Sequence, residues 1–460
     1  MDPVTPSRPL AGKKIVVVGL GRAGKTAVRL ALQAGARVTA TDARKADMLA
    51  DFIEEMGGRV TFELGGHDLD SFLSADLVVT SPGVPWIAEL VAAKDAGVSV
   101  VDEVELASYF IRSPIVGITG TNGKSTTTVL LGRLLETLGR PVFVGGNLGK
   151  ALGEAAWHPA ALQGIVVAEL SSFQLERIDS FHATVSVLTN LSQDHLDRHP
   201  SLDDYFAAKA KLFLNQDSKD SAVINGDQTD CAQLVEASPA ARYWFRMDQP
   251  VDRGAFLDGE QARISLGAGR NAVVDLSHMK LVGRHNRQNA LAALTAAGLF
   301  GVDFHRAREA LDGFAGLAHR MELVCELGGV AFYNDSKATN VGSALGSLSG
   351  LDRPFVLIAG GRHKGAPYSP LRPILERNCR ALVLMGESAP LMERELSGCC
   401  PLRFVSDMDE AVALAASLAR PGDAVVLCPA TSSYDMFRDY EERGRAFGAA
   451  VARLEQGGPS

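Results

Sequence analysis

Twice in this chain a run of β-branched residues ends in a glycine-rich loop and passes straight into a helical pattern. The first is "KIVVVGLGRAGKTAVRLAL" from Lys14 and the second "PIVGITGTNGKSTTTVLLGRLL" from Pro114. A strand that feeds a helix through a tight loop returns to its sheet as a right-handed βαβ unit, so each segment commits its surroundings to a parallel sheet. The pattern continues through "ARVTATD", "DLVVTSPG" and "VSVVDE", and resumes after Pro114 with "PVFVGG", "GIVVAELSS" and "ATVSVLTNL". A polar, turn-rich stretch then leads to the helix "NRQNALAALTAAGLFG". Near "GFAGLAHRMEL" the alternation restarts with "PFVLIAGG", "CRALVLMGES", "LRFVS" and "AVVLCPATSS". The prediction is an α/β fold of three domains over 1–103, 104–316 and 317–460. The first and last read as Rossmann-like, the central one as a P-loop ATPase-like α/β domain.

Composition narrows the function. The 460 residues carry a net charge of -8, which opposes non-specific nucleic-acid binding, so any anionic substrate must be met by locally placed Lys and Arg. Cys231, Cys325, Cys379, Cys399, Cys400 and Cys428 form no CxxC pair and no metal-binding spacing, which fits reduced thiols. The start, "MDPVTPSRPLAGKK", has no apolar signal core, and no run reaches the length of a bilayer span. A cytoplasmic protein is expected, working without nucleic acid and without membrane insertion.

The two loops compete for one role. "GLGRAGKT" (Gly19 to Thr26) fits the phosphate-loop pattern GxxxxGK[ST]. It also fits GxGxxG through Gly19, Gly21 and Gly24, with Asp42 near the place of a ribose-binding acid, and it could equally be a plain structural turn. The second loop has Ile118 in place of the pattern's first glycine but stands in better company. Lys124 can reach terminal phosphates and Ser125 can ligate magnesium. Glu169 interrupts an apolar strand, where a metal ion would compensate its charge, although a salt bridge would serve as well. His195, in "NLSQDHLDRHP", reads alone as a structural histidine at a strand end. Taken together these residues favour the second loop as the ATP site.

The segments "GITGTNGKSTT", "ELSSFQLE", "NLSQDHLDRHP", "YFAAKAKLF", "GRHNRQNALAA", "GLAHRME" and "YNDSKATN" resemble, in order and spacing, those of the Mur ligase family. The resemblance runs essentially the whole chain, to "SSYDMFRDYEERG". It implies an ATP-dependent amide ligase of peptidoglycan precursor synthesis. Such an enzyme phosphorylates the carboxylate of UDP-N-acetylmuramoyl-L-alanine and joins an amino acid to it. The resemblance is strongest to the member that adds D-glutamate, since sister ligases carry other segments in place of "NDSKATN", although these residues do not themselves distinguish D- from L-glutamate.

The resemblance also implies roles. Gly120, Thr121, Asn122, Gly123, Lys124, Ser125 and Thr126 would cradle ATP, with Asn286 and Asn289 on its adenine side. His319, Arg320 and Asp335 would help hold it from the third domain. Ser125, Glu169, His195 and Lys209 would serve magnesium, two ions being expected. Lys209 would act as a carbamate, although by its residues alone it reads as a solvated helix lysine. Lys124, Glu169, His195, Lys209, Arg320 and Asp335 make up the expected catalytic set. The first loop would take the UDP part of the substrate through Gly21, Arg22 and Ala23. Arg44, Ser81, Pro82, Gly83, Asn147, Ser171 and Gln174 would join them. Lys337, Thr339, Lys364, Ser433 and Tyr440 would select the amino acid.

Tyr440 stands where the family commonly has phenylalanine, and Arg362 and His363 replace smaller or acidic residues. A monomer is expected. So is closure of the third domain on the second about a hinge in "DGFAGLAHR", at Gly313 and Gly316. Two other readings stand beside this one. One is a related ligase adding L-glutamate or another amino acid, a folylpolyglutamate-type enzyme being disfavoured by the UDP-type first domain. The other is a non-catalytic nucleotide-binding regulator on the same scaffold.

Overall fold

The computed structural model describes residues 4–456 except 197, 280, 282, 315 and 352. Twenty strands build three sheets among the described residues. The first holds β1 (Lys14–Val18), β2 (Arg37–Asp42), β3 (Val60–Leu64), β4 (Leu77–Thr80) and β5 (Val100–Asp102), all parallel, in the order β3-β2-β1-β4-β5. Successive strand residues face opposite ways, so Ile15 and Val17 enter one core with Leu30 and Phe52. Val16 and Val18 enter another with Phe72 and Leu90. A strand buried on both faces needs an unbroken apolar run, and "KIVVV" supplies it.

The second sheet has nine strands. They are β6 (Ile115–Thr119), β7 (Val142–Gly146), β8 (Ile165–Glu169), β9 (Val185–Leu188), β10 (Ser221–Asn225), β11 (Ala241–Arg246), β12 (Gly254–Asp258), β13 (Gln261–Ser265) and β14 (Asn271–Asp275). Their order is β14-β13-β12-β11-β10-β9-β6-β8-β7. Strands β10 to β14 correct the expected polar, turn-rich stretch. Strands β12 to β14 escape a search for continuous apolar runs because they form an antiparallel meander, in which β13 alternates exposed and buried residues.

The third sheet holds β15 (Glu322–Leu327), β16 (Val330–Asn334), β17 (Phe355–Gly360), β18 (Cys379–Met385), β19 (Leu402–Phe404) and β20 (Ala424–Leu427). Its order is β15-β16-β20-β17-β18-β19. The β15–β16 hairpin, turning at Gly328 and Gly329, is a further addition to the expected strands.

The helices that matter for function are α1 (Arg22–Gln33), α2 (Lys124–Glu136), α3 (Leu202–Leu214), α4 (Arg284–Leu299) and α5 (Tyr440–Gln456). Both glycine loops leave a strand with neighbours on either side, β1 between β2 and β4, and β6 between β9 and β8. In open α/β sheets such switch points are where ligands bind.

The chain divides into two compact units. One comprises Met1–Leu191, Asp203–Ser277 and Gln288–Leu311, and the other Ser192–Leu202, His278–Arg287 and Asp312–Ser460. In the first unit the indole of Trp86 lies under the guanidinium of Arg177, 4.4 Å from its centroid. That guanidinium also donates to Thr80 Oγ1 and to the Val84 carbonyl. Of the expected hinge, Gly316 takes φ +107°, and Ala315 lies outside the described residues. No helix among the described residues is long and apolar enough to cross a membrane.

Candidate active site

The first loop is held from beneath by an acid. Leu20 N donates to Asp42 Oδ2 at 2.6 Å, and the Ser81 hydroxyl donates to the Gly19 carbonyl at 2.7 Å. Arg44 closes a fork on both Asp42 oxygens, at 2.9 and 2.6 Å. Burial alone would raise the Asp42 carboxyl, but the Arg44 guanidinium and the Leu20 and Arg44 N–H groups outweigh it and hold it at about 2. Asp42 is therefore committed to the loop, and Arg44 to Asp42. A side chain at Gly24 would strike the Gly19 carbonyl, so glycine there lets α1 pack close to its strand.

Above this loop opens a cavity of about 520 Å³. Gly21, Arg22, Ala23, Arg44, Ser81, Pro82 and Gly83 all line it, together with Asp42 and His67. Lys25 faces elsewhere, its ammonium 5.1 Å from the centroid of the Phe52 ring. Asn147, Ser171 and Gln174 are not among the lining residues. Asn147 donates through Nδ2 to Glu169 Oε1 at 2.8 Å, and Ser171 and Gln174 cap a short helix beyond β8.

The second loop rests on neutral groups. Thr121 N donates to the Asn190 carbonyl and Asn122 N to Asn190 Oδ1, at 2.9 and 2.8 Å. The Thr189 hydroxyl and the Asn190 amide both donate to the Asn122 carbonyl. Gly123 caps α2 at φ +82°, and a side chain there would meet Asn289 Oδ1. Lys124 Nζ donates to the Gly120 and Thr121 carbonyls, at 3.0 and 2.8 Å. Lys209, on α3, is 1% exposed and donates to the Gly120 carbonyl at 2.7 Å, which removes the solvated-lysine reading. Ser125 and Thr126 are buried in the first turn of α2.

Glu169 ends β8, 2% exposed, and its Oε2 has no hydrogen-bond partner among the described residues. A buried carboxylate oxygen left unpaired is costly, and a hard cation is one way to satisfy it. Among the described residues no three His, Cys, Asp or Glu side chains gather into a metal site. Magnesium does not need one, since it keeps waters and substrate phosphates beside one or two protein carboxylates. The oxygen donors of Glu169 and Ser125 fit that ion.

The remaining expected residues belong to the second unit. His195 corrects its expected place at a strand end, because it lies beyond β9 in a loop, at φ +54°. Asp194 beside it is 6% exposed and accepts from Lys364 Nζ at 2.7 Å, Asn340 Nδ2 at 2.8 Å and His195 N at 2.8 Å. Burial would raise its carboxyl, but Lys364 and then His195 outweigh that and hold it at about 2. Asp335 is 1% exposed, and burial pushes its carboxyl up to about 6 against the opposing pull of Ser347 and Arg320.

His319, at φ +61°, contacts Asn334 Nδ2 through Nδ1 at 2.9 Å, and its carbonyl accepts from Lys337 N. Lys337 Nζ stands 3.6 Å from the centroid of the Tyr440 ring. Thr339 follows two residues on, Thr339 N donating to the Lys337 carbonyl. Ser433 is buried, as is Asn286. Arg362 pairs with Glu387, and His363 contacts the Tyr368 hydroxyl at 2.9 Å. Two functional-looking residues escaped the sequence reading. One is Asp194, adjacent to the histidine that was noticed. The other is Arg443, buried on α5, which donates to Ser336 Oγ and to the Ser336 and Thr431 carbonyls.

Comparison with known proteins matches three family descriptions in chain order. They are "Mur ligase MurD-like, N-terminal domain" over 13–102, "Mur ligase middle domain" over 118–297 and "Mur ligase, glutamate ligase domain" over 319–431. The UDP-N-acetylmuramoylalanine--D-glutamate ligase of Geobacter metallireducens is 44% identical, covering 97% of this chain and 99% of its own. That of Anaeromyxobacter dehalogenans is 47% identical over 95% and 97%. Among solved structures, a pseudomurein peptide ligase type C from Methanothermus fervidus superposes with a TM-score of 0.61 at 20% identity, covering 96% of this chain and all of its own. The UDP-N-acetylmuramate-alanine ligase of Thermotoga maritima gives 0.60 at 20%, over 96% and 99%. These two share the fold. With matched segments spanning all three sheets and full-length relatives above 40% identity, the chain belongs to the Mur ligase family.

Proposed function

We propose that this chain is the ATP-dependent ligase that joins D-glutamate to UDP-N-acetylmuramoyl-L-alanine in peptidoglycan precursor synthesis. The observation that carries the reading is the full-length likeness, at 44% and 47%, to ligases of that name. The chemistry follows from a poor electrophile. The substrate carboxylate takes the terminal phosphoryl group of ATP, the bond to ADP breaking as the new P–O bond forms. The glutamate nitrogen then attacks the activated carbonyl, loses a proton, and phosphate leaves as the amide closes.

Positioning and charge neutralisation are the protein's share of this work. Lys124 neutralises phosphate charge at the head of α2, with the loop from Gly120 to Thr126 around it and Asn289 behind Gly123. Asn286, His319, Arg320 and Asp335 support the nucleotide. Magnesium, expected as two ions, shields phosphate charge when bound, and Ser125, Glu169, His195 and Lys209 would hold it. The cavity at the first loop takes the UDP moiety, with Asn147, Ser171 and Gln174 serving the same substrate further along. Lys337, Thr339, Lys364, Ser433 and Tyr440 recognise the dicarboxylic amino acid. Domain limits at 1–103, 104–316 and 317–460, a monomer and a cytoplasmic location complete the reading.

Phosphate release with ATP, magnesium and UDP-N-acetylmuramoyl-L-alanine, across D- and L-amino acids, tests it. D-glutamate is expected to be the substrate. Turnover with L-glutamate instead would favour a sister ligase, and no turnover with any would favour a regulator. Lys209 is read as a carbamate, formed when its amine adds carbon dioxide and releases a proton. Lys209→Ala should then lose nearly all activity and recover part of it with added short carboxylates.

A further inference from the structure

Asp194 joins three pieces of chain that lie far apart in sequence. Its Oδ1 accepts from Lys364 Nζ, 170 residues away, and from the backbone of His195. Its Oδ2 accepts from the side-chain amide of Asn340, 146 residues away. Asn340 in turn caps the helix that starts at Val341, accepting from Ser343 N at 2.7 Å. Lys364 is 12% exposed at its side chain and Asp194 6%, so the pair is largely shielded from solvent. A charge-assisted bond in that setting holds a flexible lysine in one place, where an exposed pair would contribute little.

We propose that Asp194 is a positioning residue for amino-acid selection, fixing the Lys364 ammonium where the carboxylate of the incoming glutamate meets it. The proposal rests on the reading of Lys364 given above. A lysine stem has four rotatable bonds, and an ammonium left to wander would offer the substrate a diffuse charge. Asp194 selects one position and, through Asn340, ties it to the segment carrying Lys337 and Thr339. Because the carboxylate also accepts from the His195 backbone, the same residue sets the loop that presents that imidazole. Asp194 acts through Lys364.

The test uses the full-length enzyme and steady-state kinetics in which each substrate is varied in turn. Asp194→Asn keeps the shape and removes the charge. It should raise KM for D-glutamate about tenfold or more, the scale of one charge-assisted hydrogen bond, and leave KM for ATP and the UDP-substrate within about twofold. Lys364→Ala should do the same, and the double variant should be no worse than Lys364→Ala alone, since residues acting through one contact are not additive. Asp194→Glu, which keeps the charge, should fall between wild type and Asp194→Asn. A normal glutamate KM in Lys364→Ala would overturn the reading of Lys364 itself. An impaired Lys364→Ala beside a normal Asp194→Asn would overturn only the role of Asp194. Additive losses in the double variant, equal losses for all three substrates, or failure of both Asp194 variants to fold would make Asp194 a structural residue and end the proposal.

Discussion

The loops at Gly19 and Gly120 leave central parallel strands and open helices, yet their supports differ in charge. Asp42 braces the first, consuming the Leu20 N–H and placing a carboxylate beneath the loop. Neutral Thr189 and Asn190 brace the second, and the Lys124 ammonium lies on the Gly120 and Thr121 carbonyls. The lysine that completes the motif in the first loop stands over Phe52 instead. A glycine pattern thus specifies a backbone turn, while the groups packed around it decide how much negative charge the turn can take. A triphosphate suits the second environment better than the first.

The largest test of this contrast is Lys124→Ala. Turnover should fall by about 10²–10³ or more, with UDP-substrate affinity unchanged, if Lys124 has its proposed role at the phosphate being transferred. Equal loss of UDP-substrate affinity would break the division of labour between the loops. Next come the two tight glycines. Gly123→Ala forces a positive φ on alanine and a contact with Asn289, and should lower stability by about 1–3 kcal/mol while raising KM for ATP. Gly24→Ala should destabilise as well, but with its kinetic loss in the UDP-substrate. Denaturant unfolding and the two KM values separate them, and a shared kinetic signature would blur the contrast.

How much of this could be read from sequence depends on burial. Strands β1, β6, β8, β9 and β17 were legible because strands covered on both faces are continuous apolar runs. Strands β12 to β14 were not, because a meander alternates polar and apolar residues. Lys124 was legible from its motif. Lys209 was visible only through family resemblance, since nothing in "YFAAKAKLF" tells a buried lysine from a solvated one. Asp194 was missed because its partners Asn340 and Lys364 are distant in sequence, and a carboxylate beside a histidine looks like ordinary surface charge. The place of Lys25 over the Phe52 ring was equally hidden, since it depends on tertiary packing.

A smaller effect is expected at Asp42. Its folded pKa of about 2 lies below the ordinary carboxylate value, so its contribution is present above about pH 4 and is lost as pH falls towards 2. Asp42→Asn should cost about 1 kcal/mol at neutral pH after allowance for solvent screening, and the unfolding free energies of variant and wild type should converge in acid. A gap that does not narrow would mean that Asp42 braces the loop by shape alone. The smallest effect belongs to Lys25→Ala, with ATP KM within about twofold and stability down by about 0.5 kcal/mol, the scale of an exposed cation–π contact. A large rise in ATP KM there would reverse the assignment of the loops.

The stacking of Trp86 on Arg177 has a practical consequence for measurement. The chain has three tryptophans, Trp86, Trp157 and Trp244, and only Trp86 sits between two residues, Pro85 and Ile87, that line the cavity above the first loop. Its indole is in contact with the cations of Arg177 and Lys94, 4.4 and 5.1 Å from the ring centroid, and donates to Glu176. Emission from such a ring responds to small changes in neighbouring charge, so occupation of the cavity should register as a change in intrinsic fluorescence without any label. Filling the ATP loop alone should leave that signal nearly still, and Trp86→Phe should abolish it. The chain carries its own optical probe for whatever occupies that cavity.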